Sequence, residues 1–367
     1  MANIAIFINT PAQFHFYRNI ADRLIKNGNE VIMLFRNYGE TVQLAKEYGL
    51  NPVIFSNKAA NAMQKITSFP KDLFSALRIL KKFKPDLITG FGLYEGYSSL
   101  LTAAKSVVFN DSEPRSHRLL NLQYRLFMPF TDALITPSSF LDNLGNKQIR
   151  VNSYKELAYL HPNYYTPNDD IYEMLGLSKG DEYAILRFNA FDAVHDLQVS
   201  GFSSEQKLKL VETLSRYVEV FVSAEGKVPK KIERNLLNIP KRKIHDLLYH
   251  AKLFLTDTQT MATEAAILGT PTIRSNIFVH QKREMGNFFE LERKYGLLFN
   301  IGDRDKAISL AEKLVTKRRL KEEWMRKKAL FLKDKIDIVS FMTWFIDNYP
   351  KSCKEMIADP TIQFRFR

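Results

Sequence analysis

Residues 3–35 read NIAIFINTPAQFHFYRNIADRLIKNGNEVIMLF, and this stretch decides the class of fold. Residues 4–8 form an unbroken apolar run, too short for a helix and typical of a strand buried on both faces. Residues 14–26 predict an amphipathic helix that stops at Asn27-Gly28, a natural C-terminal signal. Residues 31–35 return to a strand. Two such strands joined by a crossover helix pair in parallel with right-handed connection. Outward from this unit the rhythm repeats, with helix 41–48 closing at Gly49, strand 53–55, helix 73–83 ended by Pro85, and strand 87–89. Strand 107–109, helix 119–127 and strand 133–136 complete the series. The chain is therefore expected to open with a doubly wound α/β domain on a parallel sheet.

The rhythm breaks at 157–170, where Pro162 and Pro167 sit among polar neighbours and predict an interdomain linker. A second α/β series follows, with strands at 184–188, 218–222, 253–256 and 272–274 and helices at 204–216, 245–251 and 261–268. The tail, 306–349, reads as helical and basic until an apolar segment at 336–346. A chain of 367 residues is long for one core, which supports two domains, 1–162 and 163–335. Two doubly wound domains in tandem would turn their strand carboxyl ends toward one ligand-binding cleft.

Composition narrows the classes of function. The only cysteine is Cys353, so an internal disulfide framework and a cysteine zinc site are excluded and a reducing, cytoplasmic location is expected. The N-terminus lacks the basic segment of a signal peptide, and no apolar run approaches the roughly 20 residues of a membrane span. A net charge of +13 admits nucleic acid, anionic lipid or a phosphorylated substrate. Nucleic acid is not expected, because the basic stretches at 78–84 and 313–335 lack the aromatic and glycine interleaving of an RNA-binding sheet. Within 317–335, Leu320, Trp324, Lys327 and Phe331 recur at helical spacing on an otherwise basic helix. Such a stripe either makes peripheral contact with the inner face of the membrane or packs against the second domain, and packing is the preferred expectation.

The segment with most chemistry is 255–271, LTDTQTMATEAAILGTP. Here an apolar strand delivers small hydroxyl residues to a helix N-terminus, where free N–H groups and the helix dipole can hold a phosphate. Thr258, Gln259, Thr260 and Met261 would frame that site, with Asp257 as N-cap and Glu264 one turn into the helix, placed for ribose hydroxyls. An ordinary capped helix closed by Gly269-Thr270-Pro271 is the plain alternative. Earlier in the chain, strand 107–109 ends in Asn110-Asp111-Ser112-Glu113. Asp111 and Glu113 would share a face if extended and raise one another's pKa. His15 either serves as a general base on an acceptor hydroxyl or packs against the sheet.

Segment 255–271 resembles the diphosphate- and ribose-binding stretch of UDP-GlcNAc 2-epimerases. Thr256-Asp257-Thr258, Glu264 and Leu268-Gly269-Thr270-Pro271 match that pattern in place, whereas Gln259 and Thr260 stand for its two glycines and Thr263 for its first glutamate. A closer likeness is to an uncharacterised GT-B-like family of archaea and some bacteria, known only as a domain of unknown function. It is carried by Asn9-Thr10-Pro11, His15-Phe16, the run Tyr154-Lys155-Glu156-Leu157-Ala158-Tyr159-Leu160-His161-Pro162, and residues 244–249. The resemblance spans nearly the whole chain. It implies a GT-B fold of two Rossmann-like domains, with a C-terminal helix of about 336–367 returning to the first, acceptor-side domain. It also relates the chain to MurG-type glycosyltransferases.

The resemblance further implies roles for individual residues. Asn9, Thr10 and Gln13 would form the acceptor-side loop, and Glu113 is the counterpart of an essential epimerase glutamate. Arg187 and His195 would meet the diphosphate and sugar, Ser223 and Glu225 would line a neighbouring loop, and His245 would lie near the base. The expected partner is a nucleotide sugar, UDP-linked by this likeness, with an unidentified acceptor for which a lipid-linked molecule is one alternative. No metal and no separate cofactor are expected, since helix dipole and basic groups stabilise a leaving diphosphate. The leading expectation is a metal-independent glycosyltransferase, followed by a nucleotide-sugar 2-epimerase and then a non-catalytic nucleotide-sugar binder.

Overall fold

The computed structural model describes residues 1–57, 62–189, 201–276, 278–279, 281 and 284–367. It divides into two compact units, 1–164 with 334–367, and 165–333.

The first unit holds strands β1 (Asn3–Ile8), β2 (Glu30–Arg36), β3 (Val53–Ser56), β4 (Leu87–Gly90), β5 (Lys105–Phe109), β6 (Ala133–Pro137) and β7 (Gln148–Val151). They form a parallel sheet in the order β3-β2-β1-β4-β5-β6-β7, so the direction of winding reverses between β1 and β4. Helices α1 (Pro11–Lys26), α2 (Thr41–Glu47), α3 (Ala62–Phe83), α4 (Leu93–Thr102), α5 (Arg118–Phe127) and α6 (Leu157–Leu160) accompany it. The apolar run predicted for the first strand is buried from Ile4 to Ile8, as a strand covered on both faces requires.

The second unit contains α7 (Asp170–Met174), β8 (Tyr183–Phe188), α8 (Ser204–Leu214), β9 (Glu219–Ala224), α9 (Ile244–His250), β10 (Leu253–Thr256), α10 (Thr260–Leu268) and β11 (Thr272–Arg274). It continues through α11 (Gly286–Phe289), β12 (Leu298–Asn300), α12 (Arg304–Val315) and α13 (Leu320–Asp334). Its described strands are parallel in the order β12-β11-β10-β8-β9. The three alanines of α10, Ala262, Ala265 and Ala266, are fully buried and let that helix lie close to the sheet. It ends at Gly269 with φ +78°, a left-handed conformation that favours glycine.

The tail read as helical comprises α12, α13, α14 (Ile338–Asp347) and α15 (Lys351–Ala358), the last two belonging to the first unit. There Arg23 Nη1 donates to Ser340 Oγ at 2.5 Å, Asn27 and Asn29 donate to the Asp347 carboxylate, and Ile336 N donates to Asn152 O. Residues 157–160, predicted as linker, form the buried helix α6, whose Ala158 carbonyl accepts from Asn19 Nδ2 at 2.7 Å. A buried backbone turn must satisfy its own hydrogen bonds, and a helical turn does so where a linker cannot.

The basic stripe also resolves. Leu320, Trp324 and Phe331 are buried, Trp324 Nε1 donates to the Leu297 carbonyl at 2.9 Å, and Phe331 meets Tyr295 edge-on. The stripe is core of the second unit, and Trp324 is not a lipid anchor. Among the described residues, no helix is long and apolar enough to cross a membrane.

Candidate functional site

The carboxyl ends of β8, β9, β10 and β11 surround a cavity of about 360 Å³ in the second unit. Its described lining is Arg187, Asn189, Glu225, Asn276, Phe278 and residues 257–261. The floor is the start of α10. Gln259 holds the cap position, and its side chain accepts nothing from the first turn. The N–H groups of a first helical turn have no acceptor inside the helix, so this end of α10 presents donors and the positive end of its dipole.

Asp257 does not cap α10, contrary to the expectation. Its Oδ1 instead accepts from Asn189 N at 2.8 Å, while its carbonyl accepts from Asn276 Nδ2 at 3.1 Å. It thereby clasps the ends of β8 and β11 to β10, a cross-strand task that local sequence does not reveal. Burial, opposed by the Asn189 N–H, pushes its carboxyl up to about 6. Thr258 N donates to Thr256 Oγ1 at 2.9 Å, which folds the loop so that residues 258–261 face the cavity.

Arg187, on β8, supplies the cation. Its Nη1 donates to Ser223 Oγ at 2.7 Å, and its Nη2 pairs with Glu225 Oε1. Ser223 thus acts behind the cavity by aiming the guanidinium. A planar fork beside an uncapped helix start is suited to phosphate oxygens. His245 and Glu264 are brought together elsewhere. Both are buried, with Nε2 and Oε1 3.3 Å apart at the packing of α9 on α10, and neither is among the described lining residues. His195 lies outside the described residues.

In the first unit the candidates are dispersed. Thr10 caps α1 by accepting from Gln13 N, and Gln13 Oε1 returns to Asn9 N at 2.8 Å, so this loop closes on itself as a helix start. His15 is buried, its ring centroid 5.0 Å from that of Tyr159 and 6.2 Å from that of Tyr48. Glu113 is 1% exposed. Asp111 does not rely on Glu113 for its setting; its Oδ2 is 2.6 Å from Lys155 Nζ, which also lies 3.5 Å from the buried Glu156. Of the three candidate bases, Asp111 is the most exposed, with 14% of its side chain accessible.

Sequence reasoning missed Lys155, Asn276 and Glu95. Lys155 stood inside a run read only for its likeness, and its contact with Asp111 is made by folding. Glu95, wholly buried, accepts from Phe91 N at 2.7 Å and Gly92 N at 3.0 Å, fixing the loop after β4. Glu three residues after a glycine cap was the available signal. A broader hollow of about 850 Å³, lined by Ile32, Arg78, Ile79, Lys81, Lys82 and Phe83, has no acid or nucleophile among its described lining. Among the described residues, no group of three His, Cys, Asp or Glu is placed to hold a metal ion.

Solved structures share this fold at low identity. The S. aureus MnaA–UDP complex superposes with a TM-score of 0.67 at 14% identity, over 98% of each chain. UDP-GlcNAc 2-epimerase from Methanocaldococcus jannaschii gives 0.62 at 16%, over 89% of this chain and 99% of that one. The spinosyn forosaminyltransferase SpnP gives 0.61 at 13%, over 95% and 100%. These likenesses make the architecture that of the GT-B enzymes. Among curated proteins none matches the sequence. A family model described as "Protein of unknown function (DUF354)" matches residues 3–344.

Proposed function

The chain belongs to the DUF354 family, and we propose that it is a glycosyltransferase whose second unit binds a nucleotide-diphosphate sugar in the cavity at the start of α10. The observation that carries this reading is the convergence of an uncapped helix N-terminus, the Arg187 fork and the hydroxyls of Thr258 and Thr260 on one cavity. Each of these recognises anionic oxygen, and together they suit a diphosphate rather than a neutral ligand. That structural relatives include proteins named for UDP or a UDP-sugar supports the ligand class.

In this reading the acceptor oxygen attacks the anomeric carbon, the bond from that carbon to the diphosphate oxygen breaks, and the acceptor proton passes to a carboxylate. Asp111, whose Oδ2 lies 2.6 Å from Lys155 Nζ, is the first unit's candidate for that carboxylate. Charge developing on the leaving diphosphate is met by Arg187 and the helix start, so the reading calls for no metal. A 2-epimerase is the second reading, favoured by the match of Thr256-Asp257-Thr258 and Glu264 to the epimerase stretch and opposed by Gln259, Thr260 and Thr263.

A thermal-shift panel of UDP, ADP, GDP, TDP and UDP-GlcNAc tests binding. A ligand at about 100 times its Kd should stabilise by roughly 2.7 kcal/mol, and Arg187→Met should weaken it at least tenfold. No response from the parent to any nucleotide would remove the proposal. NMR of UDP-GlcNAc incubated with the protein separates the two readings, since an epimerase changes C2 configuration without an acceptor.

A further inference from the structure

The surface of α5 carries a stripe that the core does not use. Tyr124 and Phe127 anchor the helix in a cluster with Val108, Leu134 and Phe140. On the outer side Leu119, Leu122 and Leu126 are 63%, 52% and 43% exposed. Their spacing of three and then four residues keeps them within one narrow arc of a helix with 3.6 residues per turn. Arg118 and Arg125, both exposed and seven residues apart, run along the same flank. No aspartate or glutamate occurs from 114 to 131, in a chain whose net charge is +13. Leu141, in the loop whose Asp142 accepts from Arg115 N, is a further leucine at 48% exposure.

We infer that α5 is an interfacial helix that seats the first unit on an anionic lipid surface. Three observations favour lipid over other occupants. An apolar stripe flanked by arginines, on a segment that carries no carboxylate of its own, matches the acyl–headgroup boundary, where leucine enters and guanidinium meets phosphate. The stripe is small: ten residues make a helix about 15 Å long and about 10 Å wide, far short of the ~800 Å² per partner that a stable dimer buries. Finally, the helix is already ordered by its inner face, so binding need not pay for folding it. Because residues 110–113 lead directly into it, docking would hold the Asp111 loop at the headgroups. This inference is independent of the donor reading and replaces the α13 stripe as the membrane-facing element.

The test is co-sedimentation of the full chain with vesicles of phosphatidylcholine alone and of equal parts phosphatidylcholine and phosphatidylglycerol. Binding is expected only to the second, and it should be lost at high salt. Leu119→Ser/Leu122→Ser/Leu126→Ser and, separately, Arg118→Gln/Arg125→Gln should each lower the partition at least tenfold without lowering Tm, since these side chains are exposed. Lys317→Gln/Arg318→Gln/Arg319→Gln, which removes more charge from the second unit, should bind as the parent does. Failure of the parent to bind, equal loss in the second-unit variant, or insensitivity to the leucine changes would overturn the inference. So would a dimer in sedimentation equilibrium that the leucine variant dissociates.

Discussion

Gly90→Ala tests how the loop after β4 is built. A Cβ at position 90 would lie 1.8 Å from Glu95 Oε1 and 2.6 Å from its Cδ, so the carboxylate must leave. In the parent it accepts from Phe91 N and Gly92 N while fully buried. Evicting the carboxyl leaves two buried N–H groups unpaired, at about 1–3 kcal/mol each, so it should cost about 2–6 kcal/mol. Glu95→Ala loses the same two bonds but leaves room for the new methyl. The double variant Gly90→Ala/Glu95→Ala should therefore be about as stable as Glu95→Ala alone, a coupling of about 3 kcal/mol. Hydrogen exchange of β1, α1 and β4 peptides at pH 8 reads the first unit separately from the second, which a global melt of a two-unit chain would not. The coupling should appear as a roughly hundredfold discrepancy in protection from the additive expectation. Costs that simply add would show that the collision is not what position 90 avoids, and the reasoning would fail.

Other outcomes follow from the same geometry. Burial, opposed by the two N–H donors, raises Glu95 from 4.5 to about 7, so the fold favours its protonated form. That stabilisation is full below about pH 4.5 and lost as pH rises through 7, and the parent should lose about 3 kcal/mol relative to Glu95→Gln across that window by hydrogen exchange. Glu264→Ala removes a buried carboxylate 3.3 Å from His245 and outside the described lining, so nucleotide affinity in titration calorimetry should stay within about twofold of the parent; a tenfold loss would return Glu264 to the site. Asp111→Asn should lower turnover at least a hundredfold with donor Kd unaltered once a donor is in hand. Trp324→Phe leaves the Leu297 carbonyl unpaired and should cost about 1–3 kcal/mol in the second unit, with no effect on vesicle binding.

The strands were legible because parallel strands buried on both faces write themselves as apolar runs, as residues 4–8 and 253–256 do. Elements that escaped lack that mark. β7 is a half-buried edge strand of four residues, β12 has three, and α4 is interrupted by Gly96. That glycine reads as a helix breaker, yet a Cβ there would meet the Phe127 carbonyl at 3.0 Å, so the packing of α4 on α5 requires it. The phosphate-binding segment was legible because strand, loop and helix start are contiguous in sequence. Asp257 was misread because its partners, Asn189 and Asn276, come from other strands. His15 and Glu113 looked catalytic as isolated residue types, and only their burial shows how little of either reaches solvent.

The first unit is assembled from both ends of the chain, whereas the second is one continuous segment, 165–333. A ribosome makes residues 1–164 first, but α14, which covers Arg23, Asn27 and Asn29 on and beyond α1, emerges after the whole second unit. Until then the α1 side of the first sheet lacks its cover, including the buried Phe341, Phe345 and Ile346. The usual order of vectorial folding, N-terminal domain first, is thereby inverted. The nascent first sheet must wait, partly uncovered, while the second completes. Residues 334–367 are thereby the segment that completes the first unit.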